Sequence, residues 1–111
     1  MKFLMIMGHD DTFGPSPELI EQIVSWNRQM LAQGILVSSN PLMPWQKGHV
    51  LRLVNGRVET TPGSFVTSAE KVSAYALLDC PDERGALDAA SKHPMATSAV
   101  VELRPVWEDL R

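Results

Sequence analysis

The segment Lys2–Gly8, KFLMIMG, decides the architecture, because every residue between its two ends is apolar. An uninterrupted apolar run of this length predicts a short strand that is covered on one face or on both. It is far shorter than the ~20 residues that a membrane-spanning helix requires. We therefore expect a buried strand at the start of a globular domain.

Two helices are predicted downstream of this strand. Ser16 is a good N-cap, Pro17 is tolerated at the first helical position, and Gly34 ends the helix by taking a left-handed conformation. The buried face of this helix is predicted to carry Leu19, Ile20, Ile23, Val24, Trp26, Met30 and Leu31. The second helix is predicted from its cap at Asp82 to Pro94, and its inner face to carry Ala86, Leu87 and Ala90.

Strands fill the remaining intervals, and one hairpin is especially clear. Asn55-Gly56 lies between two alternating segments, and this dipeptide favours a two-residue type I′ turn because both residues reach positive φ. Such a turn pairs Leu53 with Val58 on one face and Arg52 with Glu59 on the other. Further strands are predicted at residues 35–39, 72–79 and 99–104.

The order strand, helix, strand, hairpin, strand, helix, strand predicts a single α+β domain over residues 1–111, of the ferredoxin-like kind. Two helices can cover only one face of the expected five-stranded antiparallel sheet. The candidates to line the uncovered face are Leu4, Ile6, Leu77 and Val100. An apolar face of this kind needs a partner, so we expect a homodimer with two sheets packed face to face.

The composition excludes several classes of partner. The net charge is −3, from 10 Lys and Arg against 13 Asp and Glu, and these residues form no basic stripe for nucleic acid or for a membrane surface. The single cysteine, Cys80, fits a reducing compartment, so we expect a cytoplasmic protein. We find no histidine or cysteine spacing typical of a metal site and no phosphate-binding glycine loop, so no metal or cofactor is expected.

Three residues are candidates for acid–base chemistry. His9 and Asp10 follow the first strand, and an imidazole beside a carboxylate can act as a general base. A solvated acidic loop before a helix explains the same residues without chemistry. His93 precedes Pro94 at the end of the second helix, where it serves either as a general base or as part of the packed helix end.

Three other residues are candidates for ligand binding. Asn27 lies in the middle of the apolar stripe of the first helix, where a buried amide must find a backbone group, a water or a ligand. We expect a backbone group of a nearby loop. Ser64 and Phe65 belong to the segment TPGSF after the hairpin, in which Gly63 supplies an unusual backbone angle and Phe65 is expected to anchor the loop through apolar contacts.

Two longer segments, NGRVETTPGSFVTSAEKVSAYALLD and VELRPV, resemble the YCII-related proteins, in particular the branch with an Asp-Gly-Pro-Phe signature. Gly63 and Phe65 match the signature, whereas Pro62 and Ser64 stand where the family has Asp and Pro. The resemblance covers essentially the whole chain. It implies a dimeric α/β barrel built from ferredoxin-like subunits, and it implies no particular reaction.

These observations support three functional hypotheses. The first is a small homodimeric protein that binds a small organic molecule in a cleft beside the sheet. The second is an enzyme of the same fold, such as a lyase, an isomerase or a cofactor-free oxygenase, with His9 or His93 as general base. The third is an interaction module whose exposed sheet is only a dimer surface.

Overall fold

The structure, a computed structural model, describes residues 1–110. It contains six strands, three helices and one 3-10 turn at Trp45–Lys47. The strands are β1 (Lys2–His9), β2 (Leu36–Pro41), β3 (His49–Val54), β4 (Arg57–Pro62), β5 (Lys71–Asp79) and β6 (Val100–Pro105). The helices are α1 (Pro17–Ala32), α2 (Glu83–Ser91) and α3 (Met95–Ser98).

Four of the strands form one antiparallel sheet in the order β2-β5-β1-β6, and β3 pairs only with β4 in a separate hairpin. The four-stranded sheet and its crossing helices have the ferredoxin-like arrangement that the sequence predicted. The expectation of a five-stranded sheet is wrong. β2 pairs directly with β5, so the hairpin that separates them in the chain does not lie between them in the sheet, and it pairs with neither edge strand, β2 or β6.

The core lies between the helices and one face of the sheet. Alternate residues of β1, namely Phe3, Met5 and Met7, point to this face and are buried. Trp26 of α1 packs against them and its indole N–H donates a 2.9 Å hydrogen bond to the carbonyl oxygen of Ala89 in α2. This bond satisfies the polar end of a buried indole and ties the two helices together.

The predicted limits of the first helix and the predicted start of the second are confirmed. Ser16 Oγ accepts a 3.1 Å hydrogen bond from the backbone N–H of Leu19, and Gly34 has φ of 73°. Asp82 caps α2 by accepting a 2.8 Å hydrogen bond from the backbone N–H of Gly85. The predicted end of the second helix at Pro94 is wrong, because α2 ends at Ser91 and Pro94 is the N-cap of α3, a one-turn helix that the sequence did not predict.

The predicted buried faces of both helices are too wide. Leu19, Trp26 and Met30 are buried and Ile23 is half-buried, whereas the remaining stripe residues, Ile20, Val24 and Leu31, are exposed. In α2 the predicted inward residue Leu87 is exposed and Ala89 is buried instead. Each helix lies flat on the sheet and contacts it through i, i+3 and i+4 positions only. The side chains one residue away from that line therefore remain in solvent.

The second face of the sheet has no helix over it. Leu4 pairs with Leu77, and Ile6 pairs with Tyr75, on this face. These four side chains are only half-buried. No helix among residues 1–110 has the length and apolar character to cross a membrane.

A bulge in the pairing of β1 with β5 explains why position 8 is a glycine. The register shifts between Met7 and Gly8, so that Gly8 lies opposite Val72 and Ser73 is the extra residue. A Cβ atom added at Gly8 would lie 2.8 Å from the backbone carbonyl oxygen of Lys71. This close approach of two backbones is possible only without a side chain.

We expect Gly8→Ala to destabilise the fold, because the clash is with backbone atoms that cannot move freely. The free energy of unfolding in urea should fall by about 1–3 kcal/mol. Gly14→Ala is the matched control, since a Cβ atom there meets nothing within 4 Å, and it should change stability by less than about 0.5 kcal/mol. Equal stability of the two variants would contradict the close approach.

Candidate ligand-binding site at the end of β1

His9 lies where β1 ends, and its hydrogen bond defines its tautomer. The ring nitrogen Nδ1 is 2.9 Å from the backbone carbonyl oxygen of Asp10. A carbonyl oxygen only accepts, so Nδ1 carries the proton and Nε2 keeps its lone pair. The ring stacks on Phe13 with the centroids 4.6 Å apart and the planes at 24°. The imidazole of His9 is therefore fixed in orientation, and its Nε2 atom is free to accept a proton.

The carboxylate of Asp10 does not bond to the imidazole of His9. It accepts hydrogen bonds from the hydroxyl of Thr12 at 2.5 Å and from its backbone N–H at 3.0 Å. These bonds hold the pKa of Asp10 below its usual value, and the bond from the Thr12 hydroxyl has the largest effect. Asp10 therefore shapes the loop after β1, and only its backbone orients His9.

His93 is buried against Trp26, with 3% of its surface exposed. The two rings meet edge to face with centroids 4.7 Å apart. The Nδ1 atom accepts a 3.0 Å hydrogen bond from the backbone N–H of Met95, which leaves the proton on Nε2. Burial lowers the pKa of His93 to about 4. His93 is thus neutral near pH 7 and is placed as a hydrogen-bond donor, whereas His9 is the histidine with a free lone pair.

A cavity of about 330 Å³ lies between α1 and the sheet, and both histidines line it. Its other walls are mostly apolar and include Met7, Phe13, Leu19, Ile23 and Met95. Asn27 lines it as well. The amide oxygen of Asn27 is buried, and no donor among residues 1–110 lies within hydrogen-bonding distance of it. The expected bond from a loop backbone is therefore not formed to this oxygen.

Ser64 and Phe65 lie elsewhere, beside a second cavity of about 430 Å³ at the base of the hairpin. Ser64 Oγ accepts a 3.0 Å hydrogen bond from the backbone N–H of Val66, so it stabilises the turn. The prediction that Phe65 anchors the loop is wrong, because Phe65 is 73% exposed and Val66 is the half-buried residue. Gly63 has the unusual backbone conformation that was predicted, with a positive φ of 121°.

Sequence reasoning missed the grouping of three residues near His9. Phe13, Trp45 and Lys71 line a cleft of about 300 Å³ beside it, and the ammonium of Lys71 lies 5.4 Å from the centre of the Trp45 ring. The only signal for Phe13 was a single apolar residue in the otherwise polar loop HDDTFGPS. Trp45 and Lys71 are 26 residues apart, and no local pattern connects them.

No other reactive centre stands out in the described part of the chain. Cys80 is buried, and this burial, reinforced by the charge of Asp79, raises the pKa of its thiol, which keeps the sulfur protonated. Residues 1–110 contain no group of three or more His, Cys, Asp or Glu side chains that could hold a metal ion.

The family of the chain follows from its match to a family model. The model of the YCII-related domain matches residues 1–109. The chain belongs to the YCII-related family. No curated protein matches it. The site of this YCII-related protein must therefore be argued from its own residues.

The buried His93 predicts a loss of stability in acid. Its pKa is about 4 in the folded protein and ~6.5 when unfolded, so the unfolded state takes up a proton first as the pH falls. The contribution is fully present above pH ~6.5 and decreases towards pH ~4, with a loss of about 2 kcal/mol by pH ~5. Urea unfolding at several pH values measures it.

His93→Gln is the control, because glutamine does not titrate and its amide oxygen can still accept from the Met95 backbone. Carboxylates titrate in both proteins, so the difference between the two profiles reports His93 alone. Parallel profiles between pH 7 and pH 5 would show that His93 is not buried as a neutral ring.

Proposed function

We propose that this YCII-related protein is a homodimer that binds a small, neutral organic molecule in the cavity between α1 and the sheet. The observation that carries the proposal is the amide oxygen of Asn27, which is buried without a hydrogen-bond donor. An unpaired buried acceptor costs about 1–3 kcal/mol of stability. A ligand that donates to this oxygen recovers that free energy on binding.

The cavity chemistry restricts the ligand. None of its lining residues carries a carboxylate, ammonium or guanidinium group, so a charged ligand would be buried without a counter-charge. A volume of about 330 Å³ is at the lower end of ordinary ligand sites. The ligand we infer is an apolar ring or chain with one N–H or O–H group. An enzyme of this fold would use the same site, with the free nitrogen of His9 as the proton acceptor.

The dimer is supported by the amount of exposed surface. The chain exposes 8028 Å², whereas a compact monomer of 12.3 kDa exposes about 6100 Å². Its radius of gyration is 15.9 Å, against about 13 Å for a compact domain of this length. The excess of about 1900 Å² is within the range that one subunit buries in a permanent homodimer. We place this dimer in the cytoplasm, which is consistent with the single unpaired thiol of Cys80.

Indole and its isostere indene test the cavity, because they have the same shape and only indole has an N–H donor. We expect indole to bind at least about fivefold more tightly, since one neutral hydrogen bond contributes about 1 kcal/mol. Titrations followed by backbone amide NMR shifts of Ala74 and Met95, which line the cavity, give both affinities.

Asn27→Leu is the decisive variant in this titration. It removes the acceptor at similar volume, so the preference for indole should disappear while the ligand-free protein becomes about 1 kcal/mol more stable. Ser64→Ala, outside the cavity, removes a hydrogen bond of the turn but should leave the preference for indole unchanged. Equal affinities for indole and indene in the wild type, or no saturable shifts at millimolar concentrations, would refute the proposed site.

The homodimer is tested separately, by its molar mass in solution. Light scattering at micromolar concentration should give twice the 12.3 kDa of one chain. A mass that stays at one chain over the whole accessible concentration range refutes the homodimer and leaves the ligand site to be judged separately.

A further inference from the structure

The β3–β4 hairpin has two chemically different faces. Cross-strand partners share a face, so Leu51, Leu53, Val58 and Thr60 lie on one side. This side contains no Asp, Glu, Lys or Arg, and His49 and Pro62 lie on it at the base of the hairpin. The opposite side carries the cross-strand pair Arg52 and Glu59, together with Arg57, Val50 and Val54. The hairpin is therefore amphipathic, and this pattern is typical of a hairpin whose apolar face packs against protein.

That surface is not provided by the chain's own residues 1–110. Leu51, Leu53 and Val58 are 63%, 73% and 66% exposed, and every residue of β4 is exposed. Neither β3 nor β4 pairs with a strand of the main sheet. A two-stranded hairpin on its own is at best marginally stable in water, and it needs a further strand or a packed face.

The amount of exposed surface favours a second copy of the chain as the occupant. The open face of the four-stranded sheet covers only about 500 Å², from four strands ~4.8 Å apart and ~26 Å long. This footprint is well below the excess of about 1900 Å² of accessible surface per chain, which favours an interface larger than the sheet face alone. The hairpin is a second exposed apolar surface, because Leu51, Leu53 and Val58 lie together on one of its faces.

We propose that the β3–β4 hairpin is an intersubunit arm whose apolar face, Leu51, Leu53 and Val58, packs on the partner subunit. The proposal rests on the homodimer of the proposed function and adds the element that holds it together. The charged face, with Arg52 and Glu59, remains in water. The arm gains its stability from the partner, because it has no packing of its own.

Two double variants on adjacent cross-strand pairs test the arm. L53T/V58T removes the apolar face, and R52T/E59T makes the same change on the charged face; threonine keeps the strand propensity in both. We expect L53T/V58T to raise the dissociation constant of the dimer at least about 100-fold, because each dimer loses four apolar side chains from its interface. R52T/E59T should change it by less than about threefold. Analytical ultracentrifugation over a dilution series measures both.

The outcomes separate the arm from the dimer itself. A wild type that is monomeric at every concentration overturns both. A wild-type dimer that L53T/V58T leaves intact overturns the arm alone and keeps the homodimer.

Hydrogen exchange on the wild type decides the case if L53T/V58T does not fold. The backbone amides of β3 and β4 should exchange more slowly in the concentrated dimer than in a dilute monomer. Equal exchange rates overturn the arm and assign the apolar face to another occupant.

Discussion

The structure depends on one constraint: a central strand that is apolar on both faces lies in a sheet with helices on only one. Phe3, Met5 and Met7 point towards the helices and are buried, while Leu4 and Ile6 point away and are half-buried. Polar residues could have been placed at these two positions, as in an ordinary one-sided antiparallel sheet. Their absence leaves two apolar side chains of the central strand on a face that no helix covers, and the exposed apolar face of the hairpin repeats the same feature outside the sheet.

The packing of Trp26 connects this core to the candidate site. Its hydrogen bond to Ala89 joins α1 to α2, and its ring covers His93. The ring of Trp26 shields His93 from water, and this burial lowers the pKa of the imidazole. The imidazole is therefore neutral near pH 7, and its one N–H group can donate a hydrogen bond. Asn27 follows Trp26 directly and lies on the same helix, beside the cavity. The contact that stabilises the two-helix layer is thus also the one that gives the cavity its uncharged polar groups.

Local chemistry made most of the fold predictable. The Ser16 cap, the Asn55-Gly56 turn and the register of the hairpin depend on neighbours in sequence, and all are confirmed. The failures are non-local. That the hairpin stays outside the sheet depends on β2 pairing with β5, far apart in sequence. The sequence placed Asn27 in an apolar stripe, but only the fold shows that its amide oxygen has no donor. The grouping of His9, Asn27 and His93 could not be predicted because it joins three separate elements.

The signature segment Pro62–Phe65 forms a turn at the end of the hairpin. The N–H of Gly63 donates a 2.8 Å hydrogen bond to the carbonyl oxygen of Gly48, and the hydroxyl of Ser64 accepts one from the N–H of Val66. Proline and serine replace the acidic and proline positions of the family signature, so no ionisable group remains in it. Among residues 1–110 the buried side-chain polar atom without a hydrogen-bond partner is the amide oxygen of Asn27, in the cavity under α1. An uncharged cavity with an unpaired acceptor differs in its chemistry from a charged loop, because it offers shape and one acceptor in place of an ionised group.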